Sequence, residues 1–272
     1  MNFIFQFGRN IYVSLWGNTC QKRILHFDKL LSKYSTFPRY TITLLKYKKY
    51  ELEVLDVLSV MWQIKDYFVL ESYKFKCNTT SPIIYDCGAN VGIASLYFLE
   101  LYPNSKIKAF EADLEIASTY KKNIEKNASN SSVEIIPKAV WVDSNGIFWG
   151  RDGADSGSIY KKNNRIKIES IRLKDLISNE RRIDLLKMDI EGAEIDVIMD
   201  CQSVLNKIKY FFFEYHVFPD RNHELDVLLK ILVENKFQYF IRQISDQEKP
   251  FINYCDKSSY HINIFAINEQ LD

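Results

Sequence analysis

The sequence predicts an α/β domain, a mostly parallel sheet covered by helices, preceded by an N-terminal α+β extension. Three observations predict it. From Ile83 onward, short apolar runs alternate with stretches of helical periodicity, the rhythm of βαβ units. A polar, glycine-bearing turn, Asp86 to Gly92, separates the first run from its helix. Glycine is scarce, nine in 272 residues, and seven gather where a backbone would demand one: Gly88 and Gly92 after an apolar run, Gly146, Gly150, Gly153 and Gly157 in one short stretch, and Gly192 in an acidic motif.

Residues 1–37 are mixed, with apolar residues at helical spacing over Lys22–Lys33. Residues 40–76 alternate and are rich in Tyr, Val, Ile and Phe, which predicts short strands or a strand-and-helix cap. Ser81-Pro82 breaks the pattern, placing an extension at 1–78 and the main domain at 79–272. There follow a strand at 83–85, a helix at 91–101, a strand at 107–110, a helix at 114–127 and a strand at 133–136. Residues 141–170 hold four glycines and a basic run, predicting an insertion with strands near 147–149 and 166–168. Alternation resumes with a helix at 173–177, a strand at 183–188, a helix at 193–200 and a strand at 208–215. A helix at 224–235 and closing strands at 237–241 and 261–267 complete the chain.

Composition excludes several classes. Lys and Arg number 36 against 35 Asp and Glu, a net charge of +1, which argues against a nucleic-acid clamp acting through bulk charge. Five cysteines are scattered without a CxxC pair, so neither a disulfide scaffold nor a structural zinc site is indicated. A reducing, cytoplasmic setting is expected. No run reaches the roughly 18 apolar residues of a membrane span. The apolar segment Met1–Gly17 is a poor signal peptide, interrupted by Gln6, Arg9 and Asn10, and suits a buried element or a peripheral anchor on the inner membrane face.

Four segments carry chemistry. The turn Asp86-Cys87-Gly88-Ala89-Asn90-Val91-Gly92 lies where doubly wound sheets bind ligands. It lacks one glycine of the dinucleotide fingerprint, and the Asp86 carboxylate would repel a pyrophosphate but attract an ammonium. A ligand with an amino-acid moiety and no phosphate fits, namely S-adenosylmethionine; the plain alternative is a capped turn. Glu111, followed by Ala112, ends the second strand 25 residues after Asp86, where a carboxylate accepts both ribose hydroxyls. Asp189, Glu191 and Glu194 surround Gly192 at a third strand tip, Asp189 and Glu191 facing one way if the strand continues. Such a cluster wants a cation, either a sulfonium or a divalent metal, and the sulfonium is preferred. Glu214 and His216 alternate onto one face of the next strand, making His216 a candidate general base.

Together these segments resemble the FkbM family of S-adenosylmethionine-dependent methyltransferases. The likeness runs from about Trp62 to the C-terminal strand and rests on SYKF at 72–75, DCGANVGIAS at 86–95, FEA at 110–112, DSGSI at 155–159 and KMDIEGAE at 187–194. It implies a Rossmann-like class I methyltransferase fold, a seven-stranded sheet with a reversed last strand, and O-methylation of a hydroxyl. The acceptor would be a sugar or glycan in polysaccharide biosynthesis, or a small secondary metabolite. Carried over, Asp86, Gly88, Asn90 and Gly92 would wrap the methionine end, and Glu111 would hold the ribose. Ala139 and Val140 would flank the adenine, with Asp189 and Glu191 at the reacting centre. The rival of another class, a non-catalytic glycan-binding scaffold, predicts no S-adenosylmethionine binding.

Overall fold

The computed structural model describes residues 18–150, 165–218, 224–243 and 260–271. Helix α1, Thr19–Tyr34, opens on a reciprocal cap in which Asn18 and Gln21 each accept the other's backbone N–H. A hairpin follows, β1 at Thr43–Tyr47 antiparallel to β2 at Tyr50–Val54. Asp56 caps α2, Val57–Ile64, through the N–H of Ser59, and the chain continues into a π-helical turn, Lys65–Val69.

The main domain begins with β3, Ile83–Cys87, then α3 at Ile93–Leu101, β4 at Lys106–Phe110, α4 at Leu114–Ala128 and β5 at Ser132–Ile136. The insertion carries β6 at Ala139–Trp141, β7 at Ile147–Gly150, β8 at Arg165–Ile168 and β9 at Ser170–Arg172. Next come α5 at Leu173–Asn179, β10 at Ile183–Met188, α6 at Glu194–Cys201 and β11 at Ile208–Val217. The chain closes with α7 at Leu225–Glu234, β12 at Phe237–Gln243 and β13 at Tyr260–Asn268. Seven strands form one sheet in the order β12-β13-β11-β10-β3-β4-β5, with β13 antiparallel to both neighbours and the other registered pairs parallel. This is the expected sheet with its reversed last strand. All six residues of β10 are buried, as a central parallel strand requires.

Most elements lie within a residue or two of the expected spans, and backbone geometry accounts for two shifts. Helix α3 starts at Ile93 because Asn90 and Gly92 have φ of 48° and 93°, left-handed conformations that a helix cannot include. Strand β10 stops at Met188, and Glu191 and Gly192 turn with φ of 57° and 102°. Asp189 and Glu191 therefore stand on a turn rather than on a continuing strand. The hairpin β7–β8 is the one expected in the insertion, whereas the parallel pairing of β6 with β9 had no signal in the sequence.

The extension is fused to one face of the sheet. Leu45, Leu52, Met61, Ile64 and Phe68 share one buried cluster with Leu96 and Phe98 of α3 and Tyr120 of α4. The backbone of β2 is completed by side chains of α4: Asn123 accepts from the N–H of Glu53 and donates to its carbonyl at 2.8 and 2.9 Å. Asn127 repeats this pairing with Glu51 at 3.0 and 2.9 Å. On the opposite face Leu173, Ile198 and Leu228 cover Phe211 and Phe213.

Candidate active site

A cavity of about 870 Å³ opens over the C-terminal ends of β3, β4, β10 and β11, the ligand side of a parallel sheet. Gly88, Asn90, Glu111 and Ala112 line it, with Ala139 and Val140 beyond them and Asp189 and Glu191 opposite. The turns after three strands thus converge on one space, as the spacing of the motifs implied. Residues 151–164, which include the DSGSI stretch, lie outside the described residues.

The glycine turn is shaped by close backbone approach. Gly88 has φ of 81°, and a Cβ there would lie 1.7 Å from the carbonyl oxygen of Asp189. Only glycine lets β3 and β10 end this close together. Gly92 does not line the cavity; it lets the Tyr120 ring approach the start of α3, with 3.1 Å from a notional Cβ to the ring. Glu111 is 8% exposed, and its two oxygens accept the N–H groups of Asn90 and Asp113, each at 2.9 Å. Burial pushes its carboxyl up to about 7, against the two N–H donors that pull it down. Each oxygen retains a lone pair for a further donor.

Asp86 is placed differently from its expected part. It is fully buried behind the turn, does not line the cavity, and lies 3.1 Å from the ammonium of Lys187, itself buried on β10. Lys187 also donates to the carbonyl of Gly88 at 2.9 Å. Burial alone would drive the Lys187 ammonium toward neutrality, but Asp86 and Asp189 outweigh it and hold the charge. Asp86 is thus answered from inside the protein, and its carboxylate organises the turn from behind. Sequence reasoning gave Lys187 no role, although a lysine inside an otherwise apolar run was the available signal.

His216 likewise stands behind the cavity wall. Its Nδ1 lies 3.2 Å from Glu194, and its Nε2 lies 3.6 Å from Glu191 and 3.4 Å from Glu214. Burial would lower its basicity, yet the Glu194 and Glu191 carboxylates win and raise it well above the ordinary value. An imidazolium has no lone pair to accept a proton, so this arrangement does not suit the expected general base. Glu214, which does line the cavity, is pushed up to about 8 by burial and by Asp189. The histidine that sequence reasoning missed is His261 on β13, opposite His216 in register and exposed to the cavity. Burial and the charge of His216 hold His261 below its ordinary value, hence neutral. Antiparallel pairing across a long connection, invisible in the sequence, brings it there.

Ligand atoms of Glu214, His216 and His261, and of Asp189, Glu191 and His216, lie within 4.8 Å of one another, a spacing that can hold a metal ion. His216 is common to both sets and already has both ring nitrogens against carboxylates.

The extension supplies another wall. Trp62, Gln63, Lys65, Asp66 and Tyr67 from α2 and the π-helical turn face the cavity together with Tyr73. Tyr67 and Tyr73 stack with ring centroids 4.3 Å apart.

The Methyltransferase FkbM domain family matches residues 86–239, more than half of the chain and all of the strand-tip turns that line the cavity from β3 to β11. The chain belongs to this family. Among the relatives of this FkbM domain protein, "2-O-methyltransferase NoeI" of Sinorhizobium fredii is 29% identical over 159 residues, 49% of this chain and 63% of the relative. "Methyltransferase 1" of Beauveria bassiana is 24% identical over 169 residues, 52% of this chain and 67% of the relative. The chain thus spans about two thirds of the length of these relatives. A solved structure of methyltransferase FkbM from Methylobacillus flagellatus KT superposes with a TM-score of 0.50 at 12% identity, covering 92% of this chain and 60% of that one. The fold is that of class I S-adenosylmethionine-dependent methyltransferases. Among the described residues, no helix is long and apolar enough to cross a membrane.

Proposed function

We propose that this chain transfers the methyl group of S-adenosylmethionine to a hydroxyl of a sugar or glycan. The observation that carries the reading is the single cavity in which the glycine turn and Glu111 share space with a second, polar region formed by Asp189, Glu214, His261 and Asn263. The residues present fit the cofactor. Gly88 leaves room where a side chain would not pass, and Glu111 offers two oxygens to a ribose diol. Ala139 and Val140 offer small apolar contacts to an adenine. Asp189 and Glu191 border the reacting centre, and their charge suits a cationic donor. The name of the NoeI relative, a 2-O-methyltransferase, supports oxygen as the acceptor atom. A balanced net charge and the acids in the cavity favour a small or glycan acceptor over nucleic acid.

Held by the Gly88 turn and Glu111, the cofactor would supply an electrophilic methyl, its carbon–sulfur bond breaking as the carbon–oxygen bond forms, with neutral S-adenosylhomocysteine as the leaving group. The chain positions the hydroxyl, excludes water and takes its proton. His261 is assigned that proton, because it faces the cavity as a neutral imidazole, while His216 holds Glu191, Glu194 and Glu214 in place. The test is calorimetry with S-adenosylhomocysteine, followed by labelled methyl transfer onto nucleotide sugars and free glycans with and without EDTA. Binding with micromolar affinity and label in a sugar are expected. No heat from folded protein would overturn the assignment, and turnover abolished by EDTA would replace the histidine base with a metal.

A further inference from the structure

Across three strands the structure places Glu214, Asn263 and Arg242 in one row. Asn263 on β13 is the register partner of Glu214 on β11 and of Arg242 on β12, so the three side chains share a face of the sheet. All three line the cavity. Arg242 is steadied by the Ser72 hydroxyl at 3.1 Å and lies over the Phe265 ring at 5.2 Å. Phe265 meets Phe212, and Phe212 meets Tyr73, which makes an aromatic bed beside the row.

Asn263 is 1% exposed, and its Oδ1 has no hydrogen-bond partner among the described residues. Buried acceptors are almost always satisfied, so an orphan on a cavity wall marks a place for a donor from the occupant. An amide oxygen is no base, so the group it receives keeps its proton. We infer that Asn263 is a specificity-determining residue of the acceptor subsite, its amide oxygen taking the hydrogen of an acceptor hydroxyl other than the one methylated. Glu214 and Arg242 sit about 4.8 Å to either side, one strand spacing each, and complete a polar edge that polyhydroxylated rings match. This inference rests on the hydroxylated-acceptor reading above and names the contact that selects within that class.

The experiment uses the full chain saturated with S-adenosylhomocysteine and a panel of methyl glycosides with their monodeoxy analogues, read by saturation-transfer NMR. One monodeoxy analogue of a bound glycoside is expected to bind wild type about tenfold or more weakly than its parent, the rejection shown by sites built around a hydroxyl. Asn263→Leu is expected to bind the parent as weakly as the analogue, and Asn263→Asp, which keeps an acceptor oxygen, to retain the distinction. Both should bind S-adenosylhomocysteine within about threefold of wild type, since the cofactor motifs are untouched. Wild type treating every monodeoxy analogue like its parent would overturn the inference without any variant. So would Asn263→Leu keeping the wild-type preference. Binding of S-adenosylhomocysteine with no glycoside bound at all would instead overturn the hydroxylated-acceptor reading, and this inference with it.

Discussion

Glu111 is a carboxyl whose charge burial makes costly even with two backbone N–H donors on it. Its folded value near 7 exceeds its ordinary 4.5, so the proton is held more tightly in the folded chain. Its stabilising contribution is complete below pH 4.5 and is lost as pH rises through 7, by about 3 kcal/mol in all. In the proposed reading a ribose diol would donate to the ionised form and offset that loss. The affinity for S-adenosylhomocysteine should therefore rise roughly tenfold between pH 6 and pH 8, and Glu111→Gln should bind weakly with a flat profile, as calorimetry across that range will show. Lys187 poses the opposite problem. Lys187→Met strands the Asp86 carboxylate in a dry interior and should cost about 3–5 kcal/mol in urea unfolding. The double variant with Asp86→Asn should recover much of that loss; additive losses would show that the pair is not coupled. Gly88 and Glu111 were legible as strand-tip positions because motif spacing places them there, and the structure sets both on the cavity wall, whereas Asp86 lies behind it. The partnership of Asp86 with Lys187 was not legible, since it depends on β3 and β10 lying side by side although their sequences are about 100 residues apart.

At the scale of elements, periodicity and turn residues carried the reading. Helix α4 and strand β10 follow their apolar pattern almost residue for residue, because α4 buries the face that the sequence marks and β10 is a short run buried on both faces. What periodicity cannot reveal is polar matching between elements. Asn123 and Asn127, one helical turn apart on α4, meet the backbone of Glu53 and Glu51 as a neighbouring strand would. Replacing either with alanine takes a partner from one N–H and from two carbonyls, Glu53 and Val91 for Asn123 or Glu51 and Asn123 for Asn127, and should cost about 1–3 kcal/mol. Hydrogen exchange at the Glu53 amide should accelerate in Asn123→Ala, and at the Glu51 amide in Asn127→Ala. Protection unchanged at both would mean that the hairpin is held by its apolar face alone. The placement of His261 was equally hidden, since β13 inserts between β12 and β11 against chain order.

For the whole molecule, the question is whether the extension is an appendage. Leu45, Leu52, Met61, Ile64 and Phe68 lie in the same buried cluster as the first helices of the main domain. A chain beginning at residue 79 would bare that surface, and we expect it to be recovered unfolded or aggregated by circular dichroism and size exclusion. A folded monomer would show that the main domain stands alone. The family match ends at 239 and begins at 86, yet Trp62, Tyr73, Arg242, His261 and Asn263 all reach the cavity from outside those limits. The matched span and the remaining walls are thus supplied by different stretches of the chain. On the proposed reading we expect two homologues alike across the matched span to share a donor and to differ in recipient, so that what each one decorates is to be sought in its flanks.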